Sequence, residues 1–231
     1  MQTIGLIGGM SWESTQSYYA LLNKGIKKNL GGLHSANIIL YSVDFAPIEQ
    51  FQRDGKWNEA GEILANAAKA LENAGADIIL LCTNTMHKVA PQIRRHIHIP
   101  FIHIAEATAQ ALCKEGKKHA LLLGTKFTMK EDFYKTILLA QGIKVSIPTN
   151  DSIEKINDII FQELCLGTLN SSSKAYFLHL IEEIYSKDKT LDSIILGCTE
   201  IGLLLGSEGP LLPYFDTTIL HVNEAINRSL Q

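Results

Sequence analysis

The sequence predicts an α/β protein built as two pseudo-symmetric domains, each a mainly parallel sheet flanked by helices. Three observations carry that prediction. Short Ile/Leu-rich runs alternate with longer amphipathic stretches. The strand segments ADIILLC (76–82) and DSIILGC (192–198) read as continuous apolar runs, as strands covered on both faces do. The two halves also resemble each other. GLIGG (5–9) is similar to LLLGT (121–125), and DIILLCTNT (77–85) is similar to SIILGCTEI (193–201). Gly8 and Gly124 stand 116 residues apart (124 − 8), and so do Cys82 and Cys198 (198 − 82). Two unrelated matches rarely share an offset, so the simplest account is an internal repeat.

Taken in order, TIGLIG (3–8) is an expected strand, and residues 11–30 an expected helix capped by Ser11 and ended by Gly31. A strand is expected over 36–43, a helix over 57–76 closing at Gly75, and a strand over 77–82. HKVAPQIRRH holds a helical turn or two, IPFIHI (99–104) a strand, and residues 106–117 a helix. The second half is expected to run HALLLG, a helix near 128–141, IKVSIP, helices near 152–166 and 171–187, SIILGC, PYFD and a last helix over about 217–230. PYFDTTILHVNEAI resembles PFIHIAEATAQAL at an offset of 113 (213 − 100), a second Pro-led strand followed by a helix. The expected domains are 1–103 with about 217–231, and 104–216.

Composition narrows the function classes. The chain has 231 residues, 46% of them hydrophobic, enough for two domains of about 115. A net charge of −3 gives no basic face for nucleic acid. No apolar run reaches the roughly 18–20 residues of a membrane span, and MQTIGLIGGM enters a strand pattern without a charged leader. The expectation is a cytoplasmic protein whose four cysteines, at 82, 113, 165 and 198 and never in CxxC spacing, stay reduced. HIH (96–98) with His103 is weak metal spacing, so no metal is expected. Gly8 and Gly9 do not extend to G-x-G-x-x-G, and there is no P-loop.

Cys82 and Cys198 each end an expected strand, where open parallel sheets bind ligands. Each is followed by hydrogen-bonding residues: Thr83, Asn84 and Thr85 after the first, Thr199 and Glu200 after the second. A lone cysteine at a strand end is usually a small buried hydrophobe. The shared offset and the flanking threonines argue for more. If the halves face each other across a cleft, two thiols can serve opposite faces of one carbon, one as base and the other as acid. That is the geometry of amino-acid racemisation. Helix starts behind the thiols are expected to lower their pKa values and to hold a carboxylate. Glu200 is expected to assist proton traffic at Cys198. His87 is expected to be a helix-surface or packed histidine rather than a thiol partner, and Cys113 and Cys165 core residues.

GLIGGMSWEST (5–15), LLCTNTMHK (80–88) and ILGCTEIGLL (195–204) resemble the aspartate/glutamate racemase superfamily, and its aspartate racemase branch with the broad-specificity amino-acid racemases above all. The resemblance extends through GGLHSANIILYSVDF and IIFQELCLG along essentially the whole chain. It implies a pyridoxal-phosphate-independent enzyme with no cofactor, catalytic Cys82 and Cys198, an active site in the interdomain cleft and a homodimer. By motif position it places Met10, Ser11, Gln52, Thr83, Asn84, Thr85 and Thr199 around the substrate. Relatives strict for aspartate carry a lysine in the segment matching ELCLG (163–167). Here Cys165 stands in that segment without a lysine, and Arg53 is the candidate substitute charge. That departure points to broad specificity. The competing readings are a cysteine-dependent decarboxylase or a cis–trans isomerase of dicarboxylates such as maleate, and an amino-acid binder that has lost turnover.

Overall fold

The computed structural model describes residues 1–206, 209 and 211–231. The chain divides into two compact units, Met1–Ile104 with His221–Gln231, and Ala105–Leu220.

The first unit begins with β1 (Ile4–Gly8), α1 (Trp12–Leu30), β2 (Ile38–Ser42), α2 (Phe45–Arg53), α3 (Trp57–Asn73) and β3 (Ile78–Leu81). A short 3-10 helix over Thr85–Val89, α4 (Ala90–Arg94) and β4 (Phe101–Ile102) follow. Helix α5 (Ile104–Lys114) carries the chain into the second unit. That unit holds β5 (His119–Gly124), α6 (Lys126–Lys130), α7 (Asp132–Ala140), β6 (Lys144–Ser146), α8 (Asn150–Gln162) and α9 (Ser171–Lys187). It ends with β7 (Ser193–Gly197), α10 (Thr199–Leu205) and β8 (Tyr214–Asp216), and α11 (Thr217–Ser229) returns to the first unit. Among the described residues both sheets have four parallel strands in the same order, β2-β1-β3-β4 and β6-β5-β7-β8.

Local chemistry explains the ends of these elements. Ser11 caps α1 by accepting from the Ser14 N–H, and Gly31, at φ +77°, closes it. Tyr18, Leu22 and Ile26 recur every four residues and form the buried face of α1. The first sheet is covered on both sides because alternate side chains point oppositely. Ile79 and Leu81 pack with α3 and α4 residues such as Leu64, Leu71 and Ile93. Ile78, Leu80 and Cys82 face the other way, against Tyr18, Leu22 and Ile26 of α1 and Val222, Ala225 and Ile226 of α11.

Several expectations need correcting. Helix α2 was not foreseen: Pro47 sits in its first turn, and its buried residues, Ile48 and Gln52, mark only one turn of periodicity, one of them polar. The expected strand over 99–104 is two residues long, because α5 already starts at Ile104. The expected helix near 128–141 is two helices, broken where Glu131 turns to extended backbone at ψ 160°. The expected long helix near 152–166 ends at Gln162 and gives way to a 3-10 turn over Leu164–Leu166.

Three histidines sit in the core of the first unit. The His87 ring lies 4.6 Å from His103 and 5.6 Å from His221, centroid to centroid. The Tyr18 hydroxyl donates to His221 Nδ1 at 2.8 Å, and His221 Nε2–H donates to the Ile102 carbonyl at 2.9 Å. Burial pulls His221 down to about 4. Burial, then the Arg94 charge, pulls His103 down to about 3. Burial and the two neighbouring imidazoles hold His87 well below its ordinary value.

Two outcomes follow from this packing. The unfolded chain takes up histidine protons near pH 6.5 that the folded chain refuses, so stability is full above that pH and is lost as pH falls toward 4. His221 alone removes about 3 kcal/mol by pH 4. Thermal melts between pH 7.5 and 4.5 should show Tm falling steadily through this window, and a flat profile would contradict the neutral cluster. At Gly9, where φ is +96°, an added Cβ would stand 2.1 Å from the Val43 carbonyl oxygen. Gly9→Ala should therefore lower stability by more than about 2 kcal/mol, a Tm drop of roughly 4–8 °C.

Candidate active site

Parallel strands β1 and β3 are neighbours, so their carboxyl ends bring two loops together. Gly9, Met10 and Ser11 leave β1, with a cis peptide between Met10 and Ser11. Cys82 and Thr83 leave β3. The Cys82 N–H donates to the Ile7 carbonyl at 2.9 Å, and the Ser14 hydroxyl donates to the Cys82 carbonyl at 2.9 Å. The Thr83 N–H turns back to the Leu81 carbonyl at 2.9 Å, a tight turn with Cys82 at its centre. His87 Nδ1 bonds the Thr83 carbonyl at 2.8 Å. All four backbone groups of the Cys82–Thr83 pair are thereby held, each by a different residue.

Cys82 is completely buried, and Asn84 and Thr85 beside it are 4% and 5% exposed. Met10 lies in the apolar cluster of α3 and α4, while the Ser11 hydroxyl is engaged as the α1 cap. Gln52, from α2, is buried and donates to the Met86 sulfur at 2.9 Å. It thus joins the segment that follows Cys82. Arg53, the next residue, points elsewhere: its guanidinium pairs with Glu49 at 3.0 Å and Gln50 at 2.7 Å on its own exposed helix face. It is a surface residue in this structure.

In the second unit Cys198 occupies the equivalent position, immediately after β7 and at the cap of α10. Its thiol donates to Glu200 Oε2 at 3.0 Å, and both residues are buried. The Thr199 hydroxyl accepts from Thr218 at 3.0 Å. Glu200 and Asn84 are also 116 residues apart (200 − 84), so a carboxylate stands beside one thiol where an amide stands beside the other.

The expected lowering of the thiol pKa values is not what the structure shows. Burial pushes Cys82 far up. Burial, the Glu200 carboxylate and the nearby Cys165 push Cys198 well above its ordinary value. The helices behind the thiols are too short to offset that: five residues of 3-10 helix after Cys82 and seven residues in α10. Both thiols are held protonated, and Cys198 has a proton acceptor already in contact. Cys165, expected as a core residue, is half-buried and lies within electrostatic reach of Cys198. Ser14 and Thr218 also escaped the sequence reading. Ser14 stands in the GLIGGMSWEST segment and Thr218 twenty residues past its cysteine, and neither adjoins in sequence the residue it bonds.

None of the four cysteines forms a disulfide, and Cys113, expected as a core residue, is exposed. Among the described residues no cluster of His, Cys, Asp and Glu could hold a metal ion, and no helix is long and apolar enough to cross a membrane.

Comparison with known proteins bears on the family and the fold. A broad-specificity amino-acid racemase of Bacillus subtilis (strain 168) is 25% identical over 216 residues, covering 93% of this chain and 92% of its own. A crystal structure from Yersinia pestis, assigned to the Asp/Glu racemases, is 46% identical with a TM-score of 0.91 and full coverage of both chains. An aspartate racemase homologue from Pyrococcus horikoshii OT3 is 36% identical with a TM-score of 0.85, again over both full chains. The model of the Asp/Glu/Hydantoin racemase family matches residues 7–225. With two matching α/β sheets and a family match over nearly its full length, the chain belongs to the Asp/Glu/Hydantoin racemase family.

Proposed function

We propose that this racemase acts on amino acids without a cofactor, through a two-base mechanism in which Cys82 and Cys198 serve opposite faces of the α-carbon. The observation that carries the reading is the Cys198 thiol on Glu200 Oε2 at 3.0 Å, in a chain that repeats a buried thiol at the same point of a second sheet. A buried thiol is a poor base until something takes its proton. Glu200 can take it along an existing hydrogen bond, leaving a thiolate and a neutral carboxyl with no change in net charge.

The Cys198 thiolate then removes the α-proton, and the electron pair passes into the substrate carboxylate. The Cys82 thiol returns a proton to the opposite face and becomes the thiolate. The reverse reaction starts from that state. Thr83, Asn84, Thr85 and Thr199 are the hydrogen-bonding groups nearest the two thiols in sequence and are assigned to the substrate carboxylate and ammonium. Met10, Ser11 and Gln52 border the Cys82 side. The absence of lysine over 163–167 and the engagement of Arg53 on its own helix support a broad substrate range rather than strict aspartate specificity. The family match favours racemisation over dicarboxylate isomerisation.

Proton NMR in deuterated water tests this directly. Purified protein with no addition should wash out the α-proton of particular amino acids while the enantiomer appears, and should do so after chelation and after treatment with a carbonyl reagent. Neutral amino acids such as homoserine or methionine should exchange at least as fast as aspartate. Cys82→Ser and Cys198→Ser should each cut kcat/KM by at least about 1,000-fold in both directions; a single variant at wild-type rate would end the two-base assignment. Glu200→Gln keeps the shape but cannot take a proton, and should cost about 100-fold in kcat. A loss under threefold would remove Glu200 from the proton path.

A further inference from the structure

Two side chains outside the motif residues assigned above fix the turn that carries Cys82: Ser14, on the Cys82 carbonyl, and His87, on the Thr83 carbonyl. His87 is 1% exposed, and both its ring nitrogens face groups that can play only one part. The Thr83 carbonyl only accepts, so Nδ1, 2.8 Å away, carries the hydrogen. The Ile104 amide only donates, so Nε2, 3.2 Å away, carries none. The ring is thereby a neutral imidazole of one defined tautomer. It is wedged among Phe101, His103 and His221, with ring centroids 4.6 to 5.6 Å away, so it has little freedom to turn. One end grips the residue after Cys82. The other end grips the first residue of α5, where the chain passes to the second unit.

We propose that His87 is the positioning residue of Cys82, its neutral ring bridging the Thr83 carbonyl to the Ile104 amide so that the thiol is held where it meets the substrate α-carbon. The inference rests on the two-thiol reading above. The turn at Cys82 is closed by the Thr83 N–H on Leu81, and the Thr83 carbonyl is the next backbone group along the chain. With His87 Nδ1 removed, that carbonyl loses its partner in a part-buried site and the peptide turns to find another. The thiol, one residue away, moves with it. Sub-ångström displacement of a proton-transfer group is enough to lose an order of magnitude in rate.

The test uses two variants and one measurement on the native protein. Asn places its amide nitrogen where His carries Nδ1, so His87→Asn keeps the donor to Thr83. Gln reaches only to the Nε2 position, so His87→Gln loses it. Homoserine and aspartate are supplied as each enantiomer, protonated or deuterated at Cα. His87→Gln should racemise at least tenfold more slowly, and His87→Asn should stay within about threefold of wild type.

The isotope effect separates positioning from loss of folded protein. When transfer at Cys82 becomes the slow step, the α-deuterium effect rises for the enantiomer that Cys82 deprotonates and falls for the other. Glu200→Gln, which impairs Cys198, should give the mirror-image pattern. Nitrogen-15 NMR of the native protein, which needs no variant to fold and no turnover, should show His87 protonated at Nδ1 and bare at Nε2. The proposal is overturned by an Nε2–H tautomer, by His87→Asn as slow as His87→Gln, or by His87→Gln with unchanged isotope effects. Failure of the wild type to exchange any α-proton would instead overturn the racemase reading itself, before any variant is made.

Discussion

A thiol taken completely out of water keeps its proton, and the arrangement around both cysteines is shaped by that constraint. The two-base racemisation proposed above needs one thiol and one thiolate at any moment, so on that reading burial that preserves the acid must be offset for the base. The two units meet this requirement differently. Cys198 has a carboxylate in hydrogen-bond contact through Glu200. Cys82 has no acidic residue in its motif; the equivalent position is Asn84, and the surrounding order comes from backbone groups held by Ile7, Ser14, Leu81 and His87. The repeat is thus symmetric in its strands and asymmetric in its proton chemistry. In the proposed mechanism the Cys198 side would lose a proton to Glu200 before substrate binds, and the Cys82 side would hold its proton in a fixed direction.

Much of the fold was legible because buried parallel strands are nearly pure Ile and Leu. β1, β3, β5 and β7 stand out from their surroundings, and the Gly and Cys residues that close them repeat at one offset. Edge and connecting elements were less legible. α2 buries a glutamine, so its apolar period is interrupted, and β4 is two residues of ladder before the chain turns. For the site, the motif residues were readable because they adjoin the cysteines in sequence. Ser14, Thr218 and the bridging part played by His87 were not, since each reaches its partner through a fold that local sequence does not encode. The direction of the thiol pKa values was misjudged for a related reason. A helix start is visible in a sequence, whereas the completeness of burial depends on residues more than a hundred positions away, such as Val222 and Ile226 packed in the Cys82 cluster.

That same packing has a consequence for how the molecule is made. The second unit is one uninterrupted stretch, Ala105–Leu220, but the first is closed only by His221–Gln231. Tyr18 waits for His221, and Ile4 and Leu6 share their cluster with Val222, Ala225 and Ile226. On the ribosome the later-encoded unit can therefore finish folding first, while the earlier one remains an open sheet with an uncovered face until the final helix emerges. Chaperone demand during synthesis should centre on that exposed α1 face, and circular permutants that join the last helix directly to the first strand should shorten the vulnerable interval.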